Sequence, residues 1–339
     1  MGISILFFSA SSALSAVNPL FFMRDSDFAG NKLIMVGGKG GVGKTTISAA
    51  LAIHFARSGQ KTLLISSDPT PSLSDIFEVE IGEEEKPVKG VANLHGLEIS
   101  SEVILRRWKE RFGPEIHEVI STFSNVDYDF VDYIGGAPGV EEEYMLNYIM
   151  ELVESERYER VVWDTAPAGH TLRLLHLPQL FLNHLEAAAR FYANLYGAFE
   201  KIASTVRLKK SKRTLLQIIE GWKELSRKVL DFICDGQRTA FVIVTIAEAL
   251  GVRLTERVLK DFEAFHLRVE HLIINHLIQE ADCAFHRQRR AMQRKYVGLL
   301  REAYGRRMAL VEVPLFPHEV RGIRRIAQVA EILFPGVKS

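Results

Sequence analysis

Ten residues near the start of the chain limit its fold more than any other feature: Gly37, Gly38, Lys39, Gly40, Gly41, Val42, Gly43, Lys44, Thr45 and Thr46. Positions 38–45 match GxxxxGK[ST], the pattern of a phosphate-binding loop. Glycines at these places let the backbone turn tightly, so that several N–H groups face phosphate oxygens. Such a loop needs a strand before it and a helix after it. The apolar run 31–36 (NKLIMV) reads as a buried strand, and 45–58 reads as a helix ending at Gly59. That helix adds its positive N-terminal end to the site. Lys44 is then placed to reach the β- and γ-phosphates of a nucleotide, and Thr45 to ligate Mg2+.

More short apolar runs follow. Residues 61–66, 94–100, 160–164, 240–246, 271–275 and 310–313 read as strands, with helical patterns between them. Alternating strands and helices predict an α/β fold: a P-loop NTPase with a mostly parallel sheet flanked by helices. Two stretches, 101–157 and 180–238, carry helical periodicity without strands. They are expected to form a helical subdomain at one edge of the sheet. Within the second stretch, the basic run 207–213 (RLKKSKR) reads as a mobile connection.

At 339 residues the chain suits one large domain with a helical elaboration better than two independent cores. Lys plus Arg equals Asp plus Glu at 42 each, so no global positive field exists to attract nucleic acid, and none is expected as a partner. Only two cysteines occur, Cys234 and Cys283, which excludes a disulfide framework and fits a reducing, cytoplasmic setting, with peripheral contact to a membrane as a variant of it. The first 23 residues carry no charge. They lack the positive start of a signal peptide, and Ser, Asn and Pro interrupt the apolar run. Residues 1–30 are therefore read as a tail, with Met23 as an alternative start, ahead of an ATPase domain over 31–335.

Three further segments narrow the reading: 66–77 (SSDPTPSLSDIF), 164–175 (DTAPAGHTLRLL) and 313–322 (VPLFPHEVRG). Together with the loop they resemble the ArsA family of ATPases, from about Lys32 to Ile332. This family includes the arsenite-pump ATPase and the ATPases that target tail-anchored membrane proteins. The resemblance implies ATP as the nucleotide, hydrolysed with Mg2+. It implies that Asp68 orients or deprotonates the attacking water within switch I. Asp164 ends an apolar strand as a Walker B carboxylate does, and would hold Mg2+ directly or through water. Residues 166–170 would form switch II. Lys39 marks the deviant Walker A class, whose members use this lysine across a homodimer much as an arginine finger acts in trans. Asn275 would read the adenine, Pro314 to Phe316 would pack around it, and Glu248 would lie at the nucleotide and dimer interface. One departure is visible: Pro71 and Ser72 stand where the family's switch I often has His and Asn.

Cys283 and His286 lie where many targeting members carry CxxC, and the downstream Met292, Gln293 and Tyr296 support that alignment. Two subunits would pool one Cys and one His each around an intersubunit Zn2+. The function implied first is an ATP-driven homodimeric switch that captures the hydrophobic transmembrane segment of a client in a groove of the helical subdomain and passes it to a membrane receptor. Phe191, Tyr192, Leu195, Tyr196, Phe199 and Ile202 are candidates to line it. One alternative is an ATPase of metalloid efflux, which the single P-loop and the scarcity of thiols oppose. Another is a nucleotide-gated positioning or scaffold ATPase, which would need a membrane- or DNA-binding surface.

Overall fold

A computed structural model describes residues 22–67, 72–121, 131–132, 135–136, 140–165 and 206–336. Its centre is an eight-stranded sheet: β1 (Leu33–Gly38), β2 (Thr62–Ser66), β3 (Lys86–Pro87), β4 (Leu94–Glu98), β5 (Arg160–Asp164), β6 (Thr239–Ile246), β7 (Val269–Leu277) and β8 (Ala309–Pro314). The spatial order is β3-β4-β2-β5-β1-β6-β7-β8. All neighbours are parallel except the two-residue edge strand β3, which pairs antiparallel with β4. The predicted α/β fold with a mostly parallel sheet is the fold observed. β3 is the strand that the sequence did not announce, and Pro87 within it suits an edge position.

The strands are uninterrupted apolar runs because both faces of the sheet are covered. Successive residues of one strand enter two separate cores. Leu33 and Met35 of β1 join Leu63, Ile65, Val161, Trp163, Phe241 and Ile243 on one face. Ile34 and Val36 join Leu64, Val162, Val242 and Val244 on the other. The second face is packed by α1 (Lys44–Arg57) and by the closing helix of the chain (Ile323–Leu333). α1 is buried nearly all round, and alanines at positions 49, 50, 52 and 56 let it lie close to the sheet. It ends in a Schellman motif: Gln60 N–H bonds the Phe55 carbonyl and Gly59 N–H bonds the Ala56 carbonyl, with Gly59 at φ +90°.

Further helices are α2 (Ser72–Phe77), α3 (Ser101–Ser121), α4 (Val140–Glu154), α5 (Val206–Cys234), α6 (Ala249–Ala264) and α7 (Ala284–Tyr304), so that Ile323–Leu333 is α8. α3, α4 and α5 pack on one another and share the first core, where Trp108, Phe112 and Trp222 meet edge to face or tilted. The basic run 207–213 falls inside α5 and is not a connection between elements. Lys, Arg and Leu are all good helix formers, so a high charge density did not break the helix. Residues 191–202 lie outside the described residues. Of the stretch ahead of 31, residues 22–30 are described and pack on the body of the domain. Met23 N–H bonds the Leu333 carbonyl, and Phe28 stacks on His271 with centroids 4.9 Å apart. Among the described residues, no helix is long and apolar enough to cross a membrane.

Candidate nucleotide site

β1 lies between β5 and β6, so the loop that leaves it opens at the middle of the sheet's carboxyl edge, where ligands of open α/β folds bind. Gly43, at φ +90°, is the N-cap of α1 and brings no side chain to cap it. The helix's first internal backbone bond runs from Ile47 N–H to the Gly43 carbonyl. The N–H groups of Lys44, Thr45 and Thr46 therefore precede the helical ladder and, with the positive helix end, suit phosphate oxygens. Gly37 and Gly38 end β1, Gly40 and Gly41 are exposed at the tip of the loop, and Val42 is buried beneath it. Lys44 is buried and Lys39 is half-buried.

Asp164 is the last residue of β5, level with Val36 of β1 and Ser66 of β2. Its carboxylate is 1% exposed. The Thr45 hydroxyl donates to one oxygen at 2.6 Å and the Ser48 hydroxyl to the other at 3.2 Å. The single hydroxyl proton of Ser48 is shared with the Lys44 carbonyl at 2.9 Å, so Ser48 ties the carboxylate to the first turn of α1. A hydroxyl and a carboxylate in contact below a phosphate loop form the hard-oxygen donor set that Mg2+ takes. These residues fit the ion that ATP brings. Ser48 was not anticipated, although its spacing of four from Lys44 and three from Thr45 puts it on their face of the helix.

Asp68 and residues 166–170 lie outside the described residues. Both flanks of the Asp68 segment are held. Ser67 accepts a bond from Trp163 Nε1 at 3.0 Å and donates its N–H to the Asp164 carbonyl. On the far side, Glu98 of β4 accepts from the Leu73 and Ser74 N–H groups at 2.8 and 3.1 Å and from the Ser74 hydroxyl at 2.7 Å. Nothing in the sequence pattern marks Glu98, because its partners lie 24 and 25 residues away along the chain.

Asn275, in β7, is 4% exposed. Its Nδ2 donates to the Val42 carbonyl at 2.9 Å and its Oδ1 accepts from His276 N–H at 2.9 Å. A Cβ on Gly43 would come within 2.4 Å of that Nδ2, so the bare face of the glycine is what lets the amide reach the loop. Glu248 is the N-cap of α6 and accepts a bond from Arg289 of α7 at 2.7 Å. Burial pulls the His276 imidazole below its usual pKa, and the nearby Glu248 carboxylate partly offsets it. Pro314 ends β8 level with Leu277, and Leu315 N–H bonds the Leu277 carbonyl. The chain thus brings the loop, Asp164, Asn275, Glu248 and Pro314 to one edge of the sheet.

Cys283 is the N-cap of α7, where its sulfur accepts the His286 N–H at 3.5 Å. His286 Nδ1 lies 2.8 Å from Asp282 Oδ1. Ligand atoms of Asp282, Cys283 and His286 all fall within 4.8 Å of one another, which is compact enough for one metal ion. The CxxH spacing singles out Cys283 and His286 and does not mark Asp282.

Comparison with known proteins gives the family of the chain. The profile of a family described as anion-transporting ATPase matches residues 31–335. ATPase ASNA1 homolog 1 of Paramecium tetraurelia is 34% identical over 307 residues, covering 89% of this chain and 92% of that protein. ATPase GET3 of Malassezia globosa is 34% identical over 310 residues, with 89% and 90% covered. ATPase ASNA1 homolog of Dictyostelium discoideum is 32% identical over 307 residues, with 89% of each covered.

Proposed function

The chain belongs to the anion-transporting ATPase (ArsA-type) family and hydrolyses ATP; from that premise we propose that it is a cytoplasmic homodimeric switch that captures the transmembrane segment of tail-anchored membrane proteins for delivery to a membrane receptor. The observation that carries the dimer is Lys39. It is half-buried at the start of the loop, and no ion pair holds it among the described residues. A half-buried cation at the start of a phosphate loop suits the nucleotide of a second copy. Two exposed apolar side chains support the same face: Leu250 just after Glu248, and Phe285 one turn before Arg289, on either side of the Glu248–Arg289 ion pair. Cys283 and His286, with the same pair from a second subunit, would hold one structural Zn2+ in a tetrahedral Cys2His2 set.

In this reading Asp68 activates the water, Lys44 and the loop N–H groups hold the phosphates, and Asp164 and Thr45 hold Mg2+. Asn275, Glu248 and Pro314 border the base. Loss of the γ-phosphate releases the segments on either side of Asp164, and the helices α3, α4 and α5 carry that change to the client. The helical layer has an apolar interior of its own, with Trp108 and Tyr144 buried in it and Phe112 and Trp222 packed against them. An anion-pump role is the competing reading. It would need a thiol cluster, and the two cysteines sit on separate helices, one half-buried and one exposed.

Size exclusion with light scattering tests the proposal on the wild type and Asp68→Asn, with ATP and a co-expressed tail-anchored transmembrane peptide. The expected result is an ATP-stabilised dimer that co-elutes with the peptide, is longest-lived in Asp68→Asn, and contains one zinc per two chains by elemental analysis. A nucleotide-bound dimer that ignores the peptide and is stimulated by arsenite would overturn it in favour of the pump.

A further inference from the structure

The pattern Met292, Gln293 and Tyr296 has no part in the site as so far described, yet Gln293 is 5% exposed on a helix whose surface is strongly basic. A buried amide needs partners for both its oxygen and its nitrogen. Gln293 finds them on the backbone at the end of β7. Its Nε2 donates to the His276 carbonyl at 2.8 Å, and its Oε1 accepts from Ile278 N–H at 2.9 Å. The side chain behaves there as a strand's peptide group would.

The place where it does so is irregular. The β7–β8 register breaks between Ile274 and Leu277, and His276 stands at φ +60°, a left-handed conformation that a non-glycine residue adopts at a cost. Such a turn persists only where its surroundings hold it. Gln293 grips it on both sides of Leu277. The turn in turn aims the His276 N–H at Asn275 Oδ1, and Asn275 Nδ2 at the Val42 carbonyl. One turn earlier on α7, Arg289 holds Glu248 at the end of β6. Arg289 and Gln293 are four residues apart and share a helix face. That face therefore fastens the chain at or just past the ends of β6 and β7, the two strands next to β1 on this side.

We propose that Gln293 is a positioning residue of the phosphate site: it fixes the strained turn at 276–278, and through Asn275 it holds the Val42–Gly43 peptide of the loop in its binding conformation. It touches no nucleotide. This rests on the ATPase assignment and is independent of the client and of the dimer.

Gln293→Met tests it, because methionine keeps the volume and loses both bonds. The readouts, on the full chain well below its melting temperature, are the Kd for Mg·ADP with a fluorescent analogue and the steady-state kcat and KM for ATP. Two lost backbone bonds are expected to weaken Mg·ADP by about tenfold and to raise KM by a similar factor, with kcat changed by less than about threefold. Gln293→Leu also loses both bonds without adding a charge, should show the same defect, and serves if the methionine variant folds poorly. In an Asn275→Ala background the Gln293→Met effect should vanish, since both act through one contact. Leu300→Ala, buried on the same helix, lowers the melting temperature and leaves the Kd unchanged. A Gln293→Met protein that melts earlier but binds Mg·ADP within about twofold of wild type, or whose binding defect persists in full beside Asn275→Ala, overturns the proposal.

Discussion

Glu143 carries a charge problem that the nucleotide site does not explain. It is 5% exposed in α4, and among the described residues neither carboxylate oxygen has a hydrogen-bond partner. Asn147 Oδ1, one turn along, and Ser226 Oγ, on the facing helix α5, are equally unsatisfied. Burial pushes the Glu143 pKa up to about 7; the Ser226 hydroxyl pulls it back slightly without reaching hydrogen-bond geometry. The native state thus holds a proton that the unfolded state releases near 4.5. Stability from this group is fully present below pH 4.5, falls as pH rises through the window to about 7, and stays lost above it. At 1.36 kcal/mol per unit, the penalty at pH 8 is about 3 kcal/mol. Glu143→Gln, which is neutral at every pH, should therefore be more stable than wild type at pH 8 and gain little near pH 5. Urea unfolding at both values measures this, and a gain that does not change with pH would refute the burial account.

Single residues were legible where chemistry dictates a spacing. Lys44, Thr45 and Asp164 could be placed because phosphate and Mg2+ demand those groups after a strand, and the structure sets Thr45 against Asp164 at 2.6 Å. Ser48, Gln293 and Glu143 were not assigned a role, because what they do depends on partners brought close only by the fold. Gln293 reaches its backbone partners across a helix and a loop, and no periodicity encodes that.

Among the elements, α2 depends most on a neighbour. Six residues are too few for a helix to be stable alone. The Glu98 carboxylate supplies acceptors for its first N–H groups and complements its positive end. Glu98→Ala removes three bonds at the far flank of the Asp68 segment, at a cost of about 1–3 kcal/mol. The expected kinetic result is a several-fold fall in kcat with KM little changed, because the phosphate loop is on other elements. Steady-state ATPase assays measure it; a raised KM with normal kcat would mean that Glu98 serves binding and not turnover. The elements themselves were legible to differing degrees. Strands buried on both faces read as plain apolar runs, and the helix after the loop needed only its start and Gly59. β3 did not show, since two exposed residues carry no pattern. The basic run at 207–213 suggested a connection, but α5 continues through it.

At the scale of the whole molecule, the sheet order sets when the site can exist. β1 pairs with β5 from Leu33 to Val161 and with β6 from Leu33 to Thr239, so its two neighbours come from far down the chain. Asn275 and the end of β7 come later still. Ribosomes add about 5–20 residues per second, so β1 waits roughly 10–40 s between its own synthesis and the arrival of β6. Throughout that interval six residues that are wholly buried in the finished sheet have no second partner strand. Chains arrested before β6 has left the ribosome should retain no nucleotide analogue, and chains arrested after β8 should retain it; photocrosslinking of stalled nascent chains reads the difference, and retention by the shorter chains would contradict the order. The cradle for phosphate is made well before the strands that complete it. A nascent copy of this ATPase therefore spends that interval as a chain with an exposed apolar strand, in need of the kind of shielding that it is itself proposed to give to others.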